Sequence, residues 1–333
     1  MILVILKSTY FLRGHFFRFY PIFLCRNNSV MTYEIFKNRI VDYISQSSNG
    51  ALTAHIGTSA RNNGLSYDSL SISEKETYLS PVIIIKPYYD MLECDEEFER
   101  IADKILAFYN ENKKRPTEDY SFFLDFEKVK DRIVFRLVNR AANADRLKDV
   151  PYIPYLDLAI IFYYYFDNPI YQDTSASVLI TNRHINFWDT SAAELYSIAL
   201  ANTPKILGFE TMDLFDILLE SSKGLLIAEE VDLREFTNKM FVLSNKTRNY
   251  GAAVCLYKDA LRDFAIKINC DFFIIPSSVH EIILIPATEC ELECIESMRE
   301  IIRYVNLTEV DAVDVLSNNM YLYTRDDNRI RIC

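Results

Sequence analysis

Asn245–Pro286, NKTRNYGAAVCLYKDALRDFAIKINCDFFIIPSSVHEIILIP, is the stretch whose reading decides the fold. DFFIIP and HEIILIP are short runs of β-branched and aromatic residues ended by proline, the pattern of buried strands. DALRDFAIKI has the apolar spacing of a helix, and the apolar AAVCLY before it predicts a further strand after the turn KTRNYG. FVLSN, just upstream, completes the set. Strands joined both by tight turns and by single helices predict an α+β fold: a mixed, mainly antiparallel sheet with helices packed mostly on one face.

Working outward, Glu291–Val305 predicts a helix, and MYLYTRDDNRIRI a final hairpin turning at Asp326-Asp327-Asn328. Upstream, Ala176–Trp188 is expected to be a strand. Ser191 and Glu194 have the spacing of a capping box, and the helix they open is expected to stop at Pro204. A second amphipathic stretch covers Met212–Leu219, and residues 220–236 have the weakest pattern, as a surface insertion would. VPYIPYLDLAIIFYYYF predicts a segment buried on both faces, with Asp157 capping or pairing inside it. Asp125–Asn139 combines a helical start with the strand-like IVFRLVN. Pro81–Tyr89 predicts a strand ended by Pro87. Glu96–Lys113 predicts a helix with Phe98, Ile101, Ile105, Leu106 and Tyr109 inward, and Asn62-Asn63-Gly64 a hairpin turn. MTYEIFKNRIVDYI places Ile35, Phe36, Ile40, Tyr43 and Ile44 on one helical face. Residues 31–333 are expected to form one α+β domain, with 31–120 as a possible N-terminal subdomain. The apolar runs of residues 1–30 are broken by Lys7, Arg13 and Arg18, so they form no membrane span, and they are expected to precede the true start at Met31.

Composition excludes several functions. Seven glycines in 333 residues lie too far apart for a phosphate loop or a glycine-rich dinucleotide fingerprint. The net charge is −11, and the basic leader conceals more: from Met31 onward 32 basic face 47 acidic residues. An acidic surface repels phosphate backbones, and the longest basic run is Asn112-Lys113-Lys114-Arg115, so no nucleic-acid partner is expected. The seven cysteines are scattered, and the Cys290/Cys294 pair has no histidine nearby to complete a zinc site. No metal or cofactor is expected, and free thiols fit a reducing cytoplasm.

Three polar corners remain as binding candidates. His280-Glu281 opens like a zinc-peptidase motif, but position 284 is leucine and the segment is strand-like. Ser278 and His280 would share one strand face while Glu281 would point away, and no nucleophile elbow presents a serine. The second corner is Asn182, Arg183 and His184 ahead of Trp188, where an arginine near a helix start suits an anion. The third is Asn245, Arg248 and Tyr250, before Gly251.

The succession NNGLSYDSLSI, VKDRIVFRLVN, VPYIPYLDLAIIFYY, ITNRHINFWDTSAAELYSIALANTP, VLSNKTRNYGAAVCLY and DFFIIPSSVHEIILIP resembles the bacterial domain-of-unknown-function family 5688 over about Met31–Arg325. The resemblance implies a coherent fold and a bacterial cytoplasmic setting, and it carries over no catalytic residue. The expectation is therefore a soluble cytoplasmic protein that binds an as yet unknown protein or small molecule without catalysis. The alternative is an enzyme with a site around Arg183, Tyr250 and His280.

Overall fold

A computed structural model describes residues 31–74, 81–113, 121–166, 177–217, 240–289 and 295–333. They divide into two compact units, 31–61 with 65–113, and 62–64 with 121–333. The leader, Lys114-Arg115, 220–236 and the Cys290/Cys294 pair lie outside the described residues.

In the first unit, Thr32 caps α1 (Tyr33–Ser47) by accepting from the Ile35 amide. Phe36, Ile40 and Ile44, four apart, form the buried stripe, each contributing about 1.5–3 kcal/mol by leaving water. Ile35 falls off that stripe and is exposed. β1 (Leu52–Ala60) and β2 (Ser66–Glu74) pair antiparallel from Leu52↔Glu74 to Ala60↔Ser66, and β3 (Val82–Ile84) pairs with β2. The predicted turn closes the hairpin, with Asn63 and Gly64 at φ 59° and 70°, a region Asn and Gly enter at least cost. α2 (Phe98–Asn112) turns Phe98, Ile101, Ile105 and Tyr109 onto the same core as α1 and β2. Pro87 sits in the first turn of a short helix, Lys86–Tyr89, where its missing N–H costs nothing.

The second unit is built on two sheets. β4 (Ile133–Asn139) pairs with β6 (Leu158–Tyr165), whose other edge takes β5 (Tyr152–Tyr155) and β7 (Ser177–Leu179). β6 is buried almost throughout, as its unbroken apolar run predicts. α3 (Asn182–Trp188) and α4 (Ala192–Leu207) follow. Thr203 and Asn202 of α4 seal the outer edge of β4: Thr203 Oγ1 accepts from the Phe135 amide at 3.1 Å, and Asn202 Nδ2 donates to the Ile133 carbonyl at 3.2 Å. β8 (Glu210–Asp213), β9 (Phe241–Ser244), β10 (Phe272–Ile275), β11 (Ile282–Pro286), β12 (Tyr321–Thr324) and β13 (Arg329–Ile332) form a six-stranded sheet in the order β13-β12-β10-β11-β9-β8. α5 (Ala260–Ile268) joins one face of that sheet to the inner face of β4 and β6 in the largest core. α6 (Ile295–Thr308) covers the other face through Ile302 and Val305. Every pairing among the described strands is antiparallel, and the class is α+β.

Besides Pro81–Tyr89, where the strand ends at Ile84 and Lys86–Tyr89 is helix, four local expectations fail, each for a visible reason. Residues 182–188 are helix rather than strand, because Thr181 and His184 bond reciprocally across the first turn. α4 runs past Pro204 to Leu207 and ends at Gly208, φ 57°; Thr203 Oγ1 donates to the Ala199 carbonyl at 2.7 Å as the helix continues through the proline. Glu210–Asp213 is a strand because it pairs with β9, and helix begins only at 214, where Asp213 accepts from the Phe215 amide. Gly251–Leu256 is a 3-10 helix rather than a strand, since β11 already has β9 and β10 on its two edges and a short apolar run fits either state. Asp157 pairs inside the apolar run as anticipated, accepting from Ser317, Asn319 and Tyr321.

Candidate functional site

Two of the three polar corners meet. β9 ends at Ser244, the chain turns through 245–250, and the following 3-10 helix runs against the segment that leads into β11. His280 lies in that segment, two residues before the strand, and is almost fully buried. Its Nδ1 accepts from the Tyr250 backbone N–H at 3.1 Å, which places the single ring proton on Nε2, facing Asp314 Oδ1 at 2.9 Å. Ser244 Oγ donates to the His280 carbonyl at 2.7 Å, and Ser278 Oγ accepts from the His280 amide at 3.0 Å. The Tyr250 and His280 rings lie 5.3 Å apart.

Gly251 makes this closeness possible. A Cβ there would lie 2.1 Å from Ser244 Oγ and 2.5 Å from the His280 carbonyl oxygen. Arg248 and Tyr250 both take the left-handed conformation, at φ 50° and 53°, which bulky side chains adopt only when their surroundings enforce it. Asn245 organises the turn from within: its Oδ1 accepts from Thr247 Oγ1 and the Asn249 amide, and its Nδ2 donates to the Asn249 carbonyl. Arg248 pairs with Glu210 at 2.8 Å, both half-exposed. Glu281 is half-buried immediately before β11.

The third corner stays apart. Asn182 Nδ2 donates to the Lys148 carbonyl, and Arg183 is exposed. His184 Nδ1 accepts from the Thr181 amide at 3.0 Å, its ring stacks on Trp188, and burial holds its pKa below the ordinary 6.5. Among the described residues, none of the three makes a hydrogen bond, ion pair or ring contact with Tyr250 or His280. The alternative grouping of Arg183 with those two residues has no such contact behind it, and 182–188 is instead a capped helix tied to 148–149.

A family model described as a family of unknown function (DUF5688) matches residues 33–325. The chain belongs to that family. All nine candidate residues fall within the matched range. No curated protein and no solved structure matches the chain.

Sequence reasoning missed two members of this corner. Asp314 sits in a loop with no motif around it, 34 positions from His280. Arg136 stands in the centre of β4, where a charge flanked by Phe135 and Leu137 is a visible signal within the strand-like run. It is 7% exposed, with its guanidinium carbon 4.0 Å from the ring centroids of both Tyr163 and Tyr250. Among the described residues no group of acidic, histidine or cysteine side chains is arranged to hold a metal, and no helix is long and apolar enough to cross a membrane.

Proposed function

We propose that this chain is a binding protein without catalysis of its own, and that its site is the corner formed by Asn245, Arg248, Tyr250, Ser278, His280 and Glu281. The observation that carries this reading is that both ring nitrogens of His280 are occupied within the fold, one by the Tyr250 amide and the other by Asp314. A general base needs a nitrogen within reach of the proton it takes, and a serine nucleophile needs that base beside its hydroxyl. Ser278 bonds instead to backbone, so the constellation works as a brace that holds Tyr250 in place. The exposed aromatics Phe108, Phe187, Phe209 and Tyr304 sit on separate segments, which favours a small ligand over a broad protein-docking face. A cytoplasmic, bacterial setting belongs to the same proposal, supported by the resemblance and by the free thiols of Cys255 and Cys270.

Thermal-shift screening of the full chain against metabolites and metals tests it. A ligand at 100 times its Kd adds about 2.7 kcal/mol of stability, a readily visible shift. The expected result is a stabilising compound recovered unchanged after incubation. Conversion of that compound by the wild type, abolished in His280→Asn, would overturn the reading in favour of an enzyme.

A further inference from the structure

Among the described residues, Arg136 is a buried cation without an anion. Its one hydrogen bond among the described residues runs from Nη2 to Ser177 Oγ at 2.9 Å, and it makes no ion pair among them. A guanidinium withdrawn from water is costly unless something compensates it, and two aromatic faces offset only part of that cost. The omission is notable in a chain where 47 acidic residues outnumber 36 basic ones. Two rings centred 4.0 Å from one carbon cannot share a face of the planar cation, so Tyr163 and Tyr250 cover both faces and leave the in-plane N–H edge. Ser177 takes one N–H of that edge, and none of the guanidinium nitrogens is a fully sealed atom lacking a partner.

We infer that this edge is the anchor of the binding site proposed above, and that it takes a small molecule bearing a carboxylate. The inference rests on the binding reading and names its ligand class. Two parallel N–H···O bonds along a guanidinium edge match the spacing of carboxylate oxygens. Phosphate shares that chemistry, but a multiply charged group is disfavoured by the acidity of the whole chain. One wall of the slot, Tyr250, is held at a strained φ by Gly251 and by His280 backed by Asp314, so the brace has an evident purpose: it sets a ring against the arginine.

The test is an NMR titration of the Arg136 Nε–Hε resonance in the full chain, together with thermal shift. Sodium acetate and sodium benzoate are compared with neutral benzamide, inorganic phosphate and sodium chloride at matched ionic strength. Carboxylates are expected to move the resonance and raise Tm where benzamide and chloride do not, with affinity falling about tenfold in Arg136→Lys, which keeps the charge and loses the fork. Should that variant not fold, Tyr250→Leu, which uncovers one face, serves the same comparison. Equal responses to benzoate and benzamide, a response to phosphate alone, or unchanged affinity in the variant would overturn the inference. If the metabolite screen yields a non-carboxylate ligand while Arg136 stays silent, this inference fails and the binding reading stands. If no compound of any class stabilises the chain, both fail.

Discussion

The backbone N–H of Tyr250 donates to Nδ1 of His280 at 3.1 Å, and this bond ties the half-buried tyrosine to the buried imidazole. It ties a left-handed residue to a side chain 30 positions away and leaves the other ring nitrogen to Asp314. His280→Leu should therefore lose about 3 kcal/mol, since it strands the Tyr250 amide and removes the imidazole from the Asp314 carboxylate. His280→Asn, whose amide oxygen stands near the place of Nδ1, should recover about half. Urea unfolding of the two variants against wild type measures the difference, and equal losses would show that the Tyr250 bond contributes nothing.

Gly251→Ala should destabilise the chain by about 2–4 kcal/mol. The reason is space rather than backbone freedom, because the new methyl would fall 2.1 Å from Ser244 Oγ and 2.6 Å from the Asn245 nitrogen, as well as against the His280 carbonyl. Adding Ser244→Gly to the variant should restore only part of the loss, since the backbone contacts remain. A melting temperature within a degree of wild type would contradict the packing described here.

Alkaline pH should unfold this protein through its tyrosines. Burial raises the phenols of Tyr257 and Tyr321 above their ordinary 10.0, with Asp157 adding to the effect at Tyr321, and burial also pushes the Cys255 thiol up to about 12. A phenol that keeps its proton in the folded state but loses it when unfolded leaves stability intact below pH 10. Above that, each costs about 1.4 kcal/mol per pH unit until its folded pKa is reached. Absorbance at 295 nm should show these two ionising only as the chain unfolds, in a phase absent from Tyr257→Phe/Tyr321→Phe.

Trp188, the single tryptophan, reports on His184. The two rings stack at 5.5 Å, and a protonated imidazole quenches indole emission that the neutral ring leaves bright. Because burial lowers the His184 pKa, emission should fall on acidification with a midpoint below 6.5. Any stability tied to this histidine is present above 6.5 and is lost as pH drops through its folded pKa. His184→Gln should remove the titration, and a midpoint at or above 6.5 would show that the ring is not buried as described.

How much of this was legible in the sequence follows from the range of each interaction. The hairpin at Asn62–Gly64, the stripe of Phe36, Ile40 and Ile44, the Ser191 cap and the strands flanking Pro276 are written in neighbouring residues, so local spacing suffices to find them. Residues 182–188 differ from the local expectation because the cap is completed by a histidine at the third helical position rather than by an acidic or amide side chain, and Gly251–Leu256 because a six-residue apolar run fits strand and helix alike. Among the candidate residues, Tyr250 and His280 belong together as partners, whereas Arg183 does not join them.

By itself the sequence determined the α+β class, most strand and helix positions, and the absence of glycine-rich phosphate-binding motifs, since propensity, periodicity and composition act over a few residues. Only the tertiary structure decided that Arg136 is a buried cation clasped by two tyrosines, and that Asp314 reaches His280. Those pairings join positions 27 to 114 residues apart: the pairing of β4 with β6 sets Arg136 beside Tyr163 on the face away from the largest core, and the turn after β9 brings Tyr250 to Arg136 and His280, relationships that no local pattern encodes.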